Sequence, residues 1–505
     1  MHVIDVNTSF GKRVDPDPRF SLDALLRDLD RHAVACALAY SSRGIYYDAG
    51  GGNAETIAAA RGDARIVPVA TLDPRESPGW EPELERCLSR NIRAMRFFPG
   101  LQGWSVSSVL FRRILNRLSA SGVCLIFSVA EGGDRWDNVG RIAEVTAGAG
   151  LPVILCDTYY VDMAEAMAVM REHPHIYAET NWMATVGAIE IMAEQVGADR
   201  LLYGSGAPER PMQKALNQVL ETELPENQKA AILGGNAMRL LGIAPGMLAG
   251  RPELTDSEPR RFEEEIIDVH SHLGHWWCPM GDEGYDPAGM LRRMRRYNIS
   301  RSVLSSYETM RYDIEAGNRA LADAIEGHPG LYGYVELNPH RLDVSCAEMD
   351  KYFRLPNFVG AEVELSHIPA PTGGEKVRVL MAEVARRGRP VLLMPAEAGD
   401  AAAERELARA NPGLTVIHAH GFDADWARVV ADTPNVCVEF NRSRPSHHEV
   451  RDCLDVLGPE RVLFGSDQTL LSVGASVGLY LDAGLSDHER RLVLRDNAAR
   501  LFEFC

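Results

Sequence analysis

The chain has 505 residues and a net charge of −18, with 46% hydrophobic and 25% charged residues. This length exceeds what one hydrophobic core usually supports and predicts two or more domains in a soluble globular protein. The acidic balance argues against nucleic acid or an anionic membrane as a partner, and no apolar run approaches the roughly 20 residues of a membrane span. The chain starts in a strand-like run without a leader, and its nine cysteines form no Cys-x-x-Cys pair, so we expect reduced thiols and a cytoplasmic protein.

An internal repeat organises the chain, because motifs of the first half recur in the same order in the second. The run IDVNTSFG at 4–11 matches IDVHSHLG at 267–274, and RLLYGSG at 200–206 matches RVLFGSD at 461–467. The tails of the two halves also match, NAMRLL at 236–241 with NAARLF at 497–502. A repeat of this length indicates one fold duplicated in tandem.

Each half alternates short apolar runs with longer amphipathic stretches. In the second half these patterns predict strands at 266–269, 301–305, 331–337, 358–364, 390–394, 414–418, 435–439 and 461–464. Eight such strand–helix units favour an α/β fold made of two tandem (β/α)8 TIM barrels. The main alternative is a doubly wound open sheet, but no Gly-x-Gly-x-x-Gly follows a first strand.

The predicted domain boundaries follow from the repeat and from proline content. A segment at 244–262, with three prolines and mixed charge, is typical of a linker. It would separate a first barrel at 1–243 from a second at 263–505.

The first strand of the second barrel carries the most informative pattern, His270 and His272. Residues two apart on a strand point to the same face, so two imidazoles at the end of this strand could chelate one divalent cation. A pair of hydrogen-bonded loop histidines is the alternative interpretation. Chemistry in this fold sits at the C-terminal ends of the strands, which favours the metal.

Further candidate residues lie at the ends of other strands of the second barrel. They are Glu362 and Glu364 on strand 4, Met394 on strand 5, His418 and His420 on strand 6, and Asp467 after strand 8. If both glutamates face the barrel lumen, burying their carboxylates costs free energy unless they are paired or bound to metal. A register shift of one residue would instead expose both on the surface. His418 and His420 are predicted to share a face, although either could be a buried structural histidine.

This constellation resembles the amidohydrolase superfamily, in particular the branch of lactonases, amide hydrolases and decarboxylases related to aminocarboxymuconate-semialdehyde decarboxylase. The resemblance rests on DVHSHLG at 268–274, HAHG at 418–421 and FGSD at 464–467, and it extends over both halves. It implies that His270, His272 and Asp467 bind one divalent metal, zinc or alternatively manganese, with no organic cofactor. It also implies that His420 orients or deprotonates the attacking water. Since a metal lowers the pKa of its bound water, Asp467 or His420 could then accept the proton.

One position departs from the family pattern, because strand 5 ends in Met394 where the resemblance implies a histidine ligand. A thioether is a poor ligand for zinc or manganese. A fourth ligand could come from His418, Glu362, Glu364 or the substrate. Some lactonases of this branch work without metal, which is a further possibility.

The predicted substrate contacts are Glu362, Glu364, His418 and Trp276, with Trp277 beside the last of these. The two tryptophans could form the wall of a site for an apolar or aromatic substrate, or simply pack within their loop. The predicted partner is therefore a small molecule, bound by a monomer with an internal pseudo-dimer or by a small homo-oligomer.

The first half lacks the metal residues, since Asn7, Ser9, Ser128, Asp157 and Gly206 stand at the matching positions. This barrel is predicted to be a degenerate copy without metal. Arg96, which aligns with Glu362, could bind a carboxylate or pair with Asp157 or Glu179.

The sequence thus predicts metal-dependent hydrolysis of an amide, lactone or related bond by the second barrel. Non-oxidative decarboxylation on the same residues, a metal-free lactonase, and a non-catalytic binding or assembly protein are the alternatives.

Overall fold

The computed structural model describes residues 1–14, 17–76, 79–119, 121–130, 138–276, 286–397 and 400–504. Within these residues the chain divides into two compact units, Met1–Pro259 and Arg260–Cys505. The strands of the first unit are β1 Val3–Phe10, β2 Val34–Ser41, β3 Ile66–Thr71, β4 Ala94–Phe97, β5 Cys124–Ser128, β6 Val153–Cys156, β7 Ile176–Glu179 and β8 Leu201–Leu202.

Helices connect these strands. They are α1 Leu22–Arg31, α2 Arg43–Tyr46, α3 Ala49–Gly62, α4 Trp80–Ser89, α5 Pro99–Gln102, α6 Val109–Leu118, α7 Asn138–Thr146, α8 Met163–Glu172, α9 Ala188–Val196, α10 Met212–Leu220, α11 Glu226–Ala230 and α12 Asn236–Leu241.

The second unit repeats the arrangement. Its strands are β9 Ile266–Leu273, β10 Ile299–Ser306, β11 Leu331–Glu336, β12 Phe358–Glu364, β13 Val391–Met394, β14 Val416–His418, β15 Val436–Glu439 and β16 Val462–Leu463. Its helices are α13 Pro287–Arg296, α14 Tyr307–Arg311, α15 Ile314–Ile325, α16 Leu342–Tyr352, α17 Glu375–Arg386, α18 Ala401–Ala410, α19 Ala424–Val430, α20 Glu449–Leu457, α21 Val473–Asp482, α22 Asp487–Arg491 and α23 Asn497–Leu501.

Each unit forms a barrel of parallel strands in chain order, β1 to β8 and β9 to β16. Hydrogen bonds between the first strand and the segment after the last close each barrel. Val6 N donates to Tyr203 O at 3.0 Å in the first, and Val269 N donates to Phe464 O at 3.0 Å in the second. The predicted tandem pair of (β/α)8 barrels is confirmed.

The alternation of side chains along the strands builds two apolar layers in the second barrel. On β13, Val391 and Leu393 pack in a large cluster with the surrounding helices. Leu392 between them packs instead with Ile417 and Leu463 from other strands, in a smaller cluster. Since neighbouring strands share this alternation, the smaller cluster fills the barrel interior. The polar residues at the C-terminal strand ends lie above it.

Several residues of the segment predicted as a linker make packing contacts. Leu248 is fully buried against the first barrel, and Leu254 N donates to Met1 O at 2.9 Å. Phe262 belongs to the core of the second barrel. Among the described helices, none combines the length and the apolar character needed to cross a membrane.

Candidate metal centre

The two histidines of β9 converge at the C-terminal end of the second barrel. Their Nε2 atoms lie 2.9 Å apart, and both rings are buried. Each Nδ1 atom has its own partner, Glu439 Oε1 at 2.9 Å for His270 and Ser305 Oγ at 2.7 Å for His272. The two rings are thus held from β15 and β10 so that their Nε2 atoms face each other.

Two carboxylates complete this cluster. Asp467 Oδ1 lies 3.2 Å from His272 Nε2. Glu362, at 1% exposure, presents a carboxylate oxygen within 4.8 Å of a nitrogen of each of His270 and His272. The Ser305 hydroxyl lies near enough to the Glu362 carboxylate to lower its pKa, but among the described residues no well-formed hydrogen bond reaches either oxygen. The structure therefore brings together two imidazoles and two carboxylates from β9, β12 and the turn after β16.

His420 and Asp467 share an unusual backbone conformation. Both have φ in the left-handed region, 69° and 53°, which non-glycine residues adopt infrequently and which is often found at functional sites. At the matching positions of the first barrel, Asp157 and Gly206 have φ of 63° and 76°. The duplication has preserved the backbone of these turns, although their side chains differ.

His420 reaches the same cluster from the other side. Its ring lies 4.9 Å from the ring of His270, and its Nδ1 is hydrogen-bonded to Asn441 Oδ1. With Nδ1 acting as the donor in that bond, Nε2 is left with a lone pair. Its backbone N–H donates to Glu439 Oε1 at 2.6 Å, so one carboxylate holds both His270 and His420.

Glu439, Ser305 and Asn441 were absent from the sequence prediction. They orient the histidines from β10, from the end of β15 and from the segment just after β15, and such contacts cannot be read from spacing along one strand. For Glu439 the internal repeat contained a signal, because Glu179 ends the matching strand of the first barrel. Each glutamate packs against a glycine, Gly465 for Glu439 and Gly204 for Glu179. A Cβ atom added at either glycine would lie within 2.5 Å of the carboxylate.

Burial dominates the electrostatics of the cluster. It lowers the pKa of His270 and of His272 to about 3 and that of His420 to about 4, so all three rings are neutral at pH 7. It raises the pKa of Asp467 to about 6 and that of Glu439 to about 7. Neutral imidazoles are the form that binds metal.

The carboxylate of Glu362 lies next to that of Glu336 in the register of β11 and β12. Burial and repulsion from Glu362 raise the pKa of Glu336 well above the usual value. Burial, with repulsion from Glu364 and Asp467, does the same for the pKa of Glu362, although the Ser305 hydroxyl lowers it. Two adjacent buried carboxyl groups cannot both be ionised cheaply unless a cation lies near them.

His418 lies outside this cluster, so the prediction that it shares a face with His420 is wrong. Its Nδ1 lies 2.8 Å from Glu404 Oε1, and its ring stacks 4.3 Å from that of Trp426, on helices α18 and α19. The strand β14 ends at His418, and the left-handed φ of His420 interrupts the alternation. This placement removes His418 from the residues that could touch a substrate in the barrel mouth.

Glu364 and Trp276 border the cluster. Glu364 is buried, but its Oε1 accepts the N–H of Ser366 at 2.7 Å, within its own turn. Its strand neighbour Met394 accepts a hydrogen bond from Ser366 Oγ. Trp276 is buried against Tyr307 at 5.0 Å between ring centroids, whereas Trp277 lies outside the described residues.

The mouth of the first barrel is built differently. Arg96 donates to Asn7 Oδ1 and lies 3.6 Å from Asp157 Oδ2. Its guanidinium also lies over the ring of Tyr40 at 5.1 Å. The mouth of the first barrel thus carries a positively charged arginine at the position that matches the carboxylate Glu362 in the second barrel.

One comparison with known proteins identifies a family. A model of the family described as Amidohydrolase matches residues 49–243 and 267–504. Comparison with curated protein sequences gave no match.

The chain is also similar to 79 solved chains. One is a candidate 2-pyrone-4,6-dicarboxylic acid hydrolase from Pseudomonas putida, at 23% identity over 47% of this chain and 97% of that one, with a TM-score of 0.39. Another is 5-carboxyvanillate decarboxylase from Sphingomonas paucimobilis, at 14% identity over 48% and 99%, with a TM-score of 0.42. A third is a dihydroxybenzoic acid decarboxylase from a Polaromonas species with bound manganese, at 14% identity over 47% and 96%, with a TM-score of 0.40.

The family match covers most of both halves of the chain, including the segments with the histidine cluster of the second barrel. The chain therefore belongs to the amidohydrolase family of enzymes.

Proposed function

We propose that the second barrel hydrolyses an amide, lactone or related bond of a small molecule, using one divalent cation held by His270, His272, Asp467 and Glu362. Zinc suits this donor set of two imidazoles and two carboxylates, and manganese is the alternative. The observation that carries the proposal is the meeting of two Nε2 atoms at 2.9 Å.

The hydrogen bonds of His270 and His272 support a role of their Nε2 atoms as metal ligands. If each Nδ1–H donates to its oxygen partner, Glu439 or Ser305, both Nε2 atoms carry lone pairs. Two lone pairs at this distance repel each other, and a shared cation removes that repulsion. A histidine whose second nitrogen binds a carboxylate is the usual form of a metal-binding histidine.

Glu362 supplies the ligand that Met394 cannot. Glu362 is buried and is repelled by the nearby carboxylates of Glu364 and Asp467, and a bound cation would offset that cost. The strand-4 carboxylate thus replaces the histidine that the family places at the end of strand 5.

A divalent cation in this site would polarise a carbonyl group and make a nearby water molecule more acidic. His420 is the candidate proton acceptor, since Asn441 occupies its Nδ1 and burial keeps its ring neutral. Asp467 is the second acceptor. Glu439 holds His270 and the backbone of His420 in a fixed relation, so the ligand and the base are positioned together.

The test is the variant Asp467→Asn, assayed with dihydrocoumarin and 4-nitrophenyl acetate and, for carbon dioxide release, with hydroxybenzoic acids. The change preserves shape, so the protein should fold but lose turnover. The matched control is Asp157→Asn, which lies in a left-handed turn of the first barrel and should leave turnover unchanged. Undiminished activity of Asp467→Asn would contradict the catalytic assignment, and carbon dioxide release without hydrolysis would make the enzyme a decarboxylase.

A further inference from the structure

Tyr307 lies against the proposed ligand His272. It is the first residue of α14, directly after β10, and it is 4% exposed. The centroids of the two rings are 4.7 Å apart, with an angle of 36° between the ring planes. Because Ser305 Oγ is hydrogen-bonded to Nδ1 of the same imidazole, His272 is contacted both at its edge and at its face. The ring of Trp276 packs against Tyr307 in turn, with 5.0 Å between the centroids.

The hydroxyl group of Tyr307 reaches the turn that carries Asp467. Its oxygen accepts the backbone N–H of Leu470 at 3.1 Å, and this contact is buried. Leu470 follows Asp467 by three residues, and the carbonyl oxygen of Asp467 accepts the N–H of Leu471 at 2.9 Å. One side chain therefore joins the ring of one proposed ligand to the turn that holds another.

The turn after β16 depends on such contacts for its conformation. Asp467 has a φ of 53°, which a non-glycine residue keeps only where the surrounding structure fixes it. At the start of the turn, the N–H groups of Ser466 and Asp467 donate to His270 O at 3.3 and 2.8 Å. Tyr307 contacts the later part of the same turn. Together these contacts hold the backbone from which Asp467 Oδ1 reaches to 3.2 Å from Nε2 of His272.

The first barrel builds the matching turn without a tyrosine. In the pairing of its first two strands Ser42 stands at the position of Tyr307, and Ser42 Oγ donates to Lys12 O at 2.7 Å. The matching turn there has a glycine, Gly206, at a φ of 76°. Glycine adopts this conformation at little cost, whereas an aspartate needs support from its surroundings. The tyrosine thus accompanies the aspartate and is not a general requirement of the fold.

We propose that Tyr307 is a positioning residue of the metal centre, which holds His272 and Asp467 at the separation that one shared cation requires. Its ring restricts the imidazole, and its hydroxyl group holds the turn after β16. This inference rests on the proposed function, because it concerns the affinity and the geometry of the same metal site. Loss of a group that orients metal ligands typically weakens metal binding about 10- to 100-fold, although the group itself is not a ligand.

The test is chelator competition for Zn²⁺ with the full chain, comparing the wild type with Tyr307→Phe and Tyr307→Leu. Tyr307→Phe keeps the ring without the hydroxyl group and should bind Zn²⁺ about tenfold more weakly. Tyr307→Leu also removes the ring and should bind more weakly still. The matched control is Tyr352→Phe, a buried tyrosine of α16 whose hydroxyl oxygen accepts a hydrogen bond from Lys351 Nζ at 2.9 Å. This control should bind Zn²⁺ as the wild type does.

The visible absorption of the Co²⁺-loaded chain is the second readout, since it reports the geometry of the ligands rather than the stability of the fold. It should change in Tyr307→Phe and stay constant in Tyr352→Phe. Wild-type Zn²⁺ affinity and an unchanged Co²⁺ spectrum in Tyr307→Phe, or loss of the folded state in that variant, would overturn the inference and leave the proposed function intact. A wild type that binds no Zn²⁺, or a His270→Ala/His272→Ala variant that binds it equally well, would overturn the proposed function and this inference with it.

Discussion

Glu439 Oε1 lies 2.9 Å from Nδ1 of His270, and this contact fixes which nitrogen of the imidazole faces His272. The same oxygen accepts the backbone N–H of His420 at 2.6 Å. A single carboxylate at the end of β15 therefore orients a proposed metal ligand and the proposed base.

Replacing Glu439 by glutamine should weaken metal binding by about 10- to 100-fold without unfolding the protein. Glutamine has nearly the same shape, but it cannot provide the negative charge that keeps His270 in the binding tautomer. Chelator competition measures the affinity. Glu179→Gln, the same change at the matching strand of the first barrel, is the control and should have no effect; equal affinities for both variants would contradict the role of Glu439.

Glu362→Gln should lower metal affinity by about 100-fold or more, because it removes a charged ligand. If Met394 occupies the family's ligand position, the double variant Glu362→Gln/Met394→His should recover part of that affinity. The measurement is the same competition titration, with Met394→Leu in the Glu362→Gln background as control. Full affinity in Glu362→Gln would show that the strand-4 carboxylate is not a ligand.

The fold could be predicted from sequence because the repeat and the strand alternation are local or periodic properties. His270 and His272 were found in this way, since two residues apart on one strand share a face. Alternation failed at His418, because the strand ends there and His420 adopts a left-handed φ. Backbone turns of that kind depend on tertiary contacts, which spacing does not contain.

The residues that orient the proposed ligands were harder to predict from the sequence than the ligands themselves. Ser305, Asn441 and Glu439 lie far from His270 and His272 in sequence, and only the closed barrel brings them together. Glu362 was one of several possible replacements for the strand-5 histidine that the sequence left open. Its burial within reach of His270 and His272 is what favours it in the proposal.

An aspartate introduced at Gly206, the position that matches Asp467, should destabilise the first barrel. A Cβ at Gly206 would lie 2.8 Å from Arg210 Cγ and 2.9 Å from Asn181 Nδ2, at a φ of 76°. Gly206→Asp should therefore cost about 1–3 kcal/mol of unfolding free energy, and it should add no metal to the chain. Denaturant unfolding measures the cost, and Gly148→Asp, with open space around its Cβ position, is the control. A variant as stable as that control would show that the first barrel can accommodate the side chain.

Lys214 should make the stability of the first barrel depend on pH. It is buried, its Nζ donates to Asn181 O and Gln218 Oε1 at 3.1 Å, and burial lowers its pKa from 10.5 to about 7. Between these values the unfolded chain binds more protons than the folded one, so this lysine's contribution rises with pH from about 7 to 10.5. The unfolding free energy of the wild type relative to Lys214→Met should thus increase from pH 7 to pH 10, and a constant or falling difference would contradict the lowered pKa of Lys214.

The most direct test of the account is the metal content of the purified protein, measured by elemental mass spectrometry beside the variant His270→Ala/His272→Ala. The account predicts about one equivalent of zinc or manganese per chain in the wild type and its loss in the variant. An Asn7→Ala/Ser9→Ala variant at the matching positions of the first barrel should keep the metal. A wild type that takes up no divalent metal, or a histidine variant that retains it, would contradict a metal centre in the second barrel.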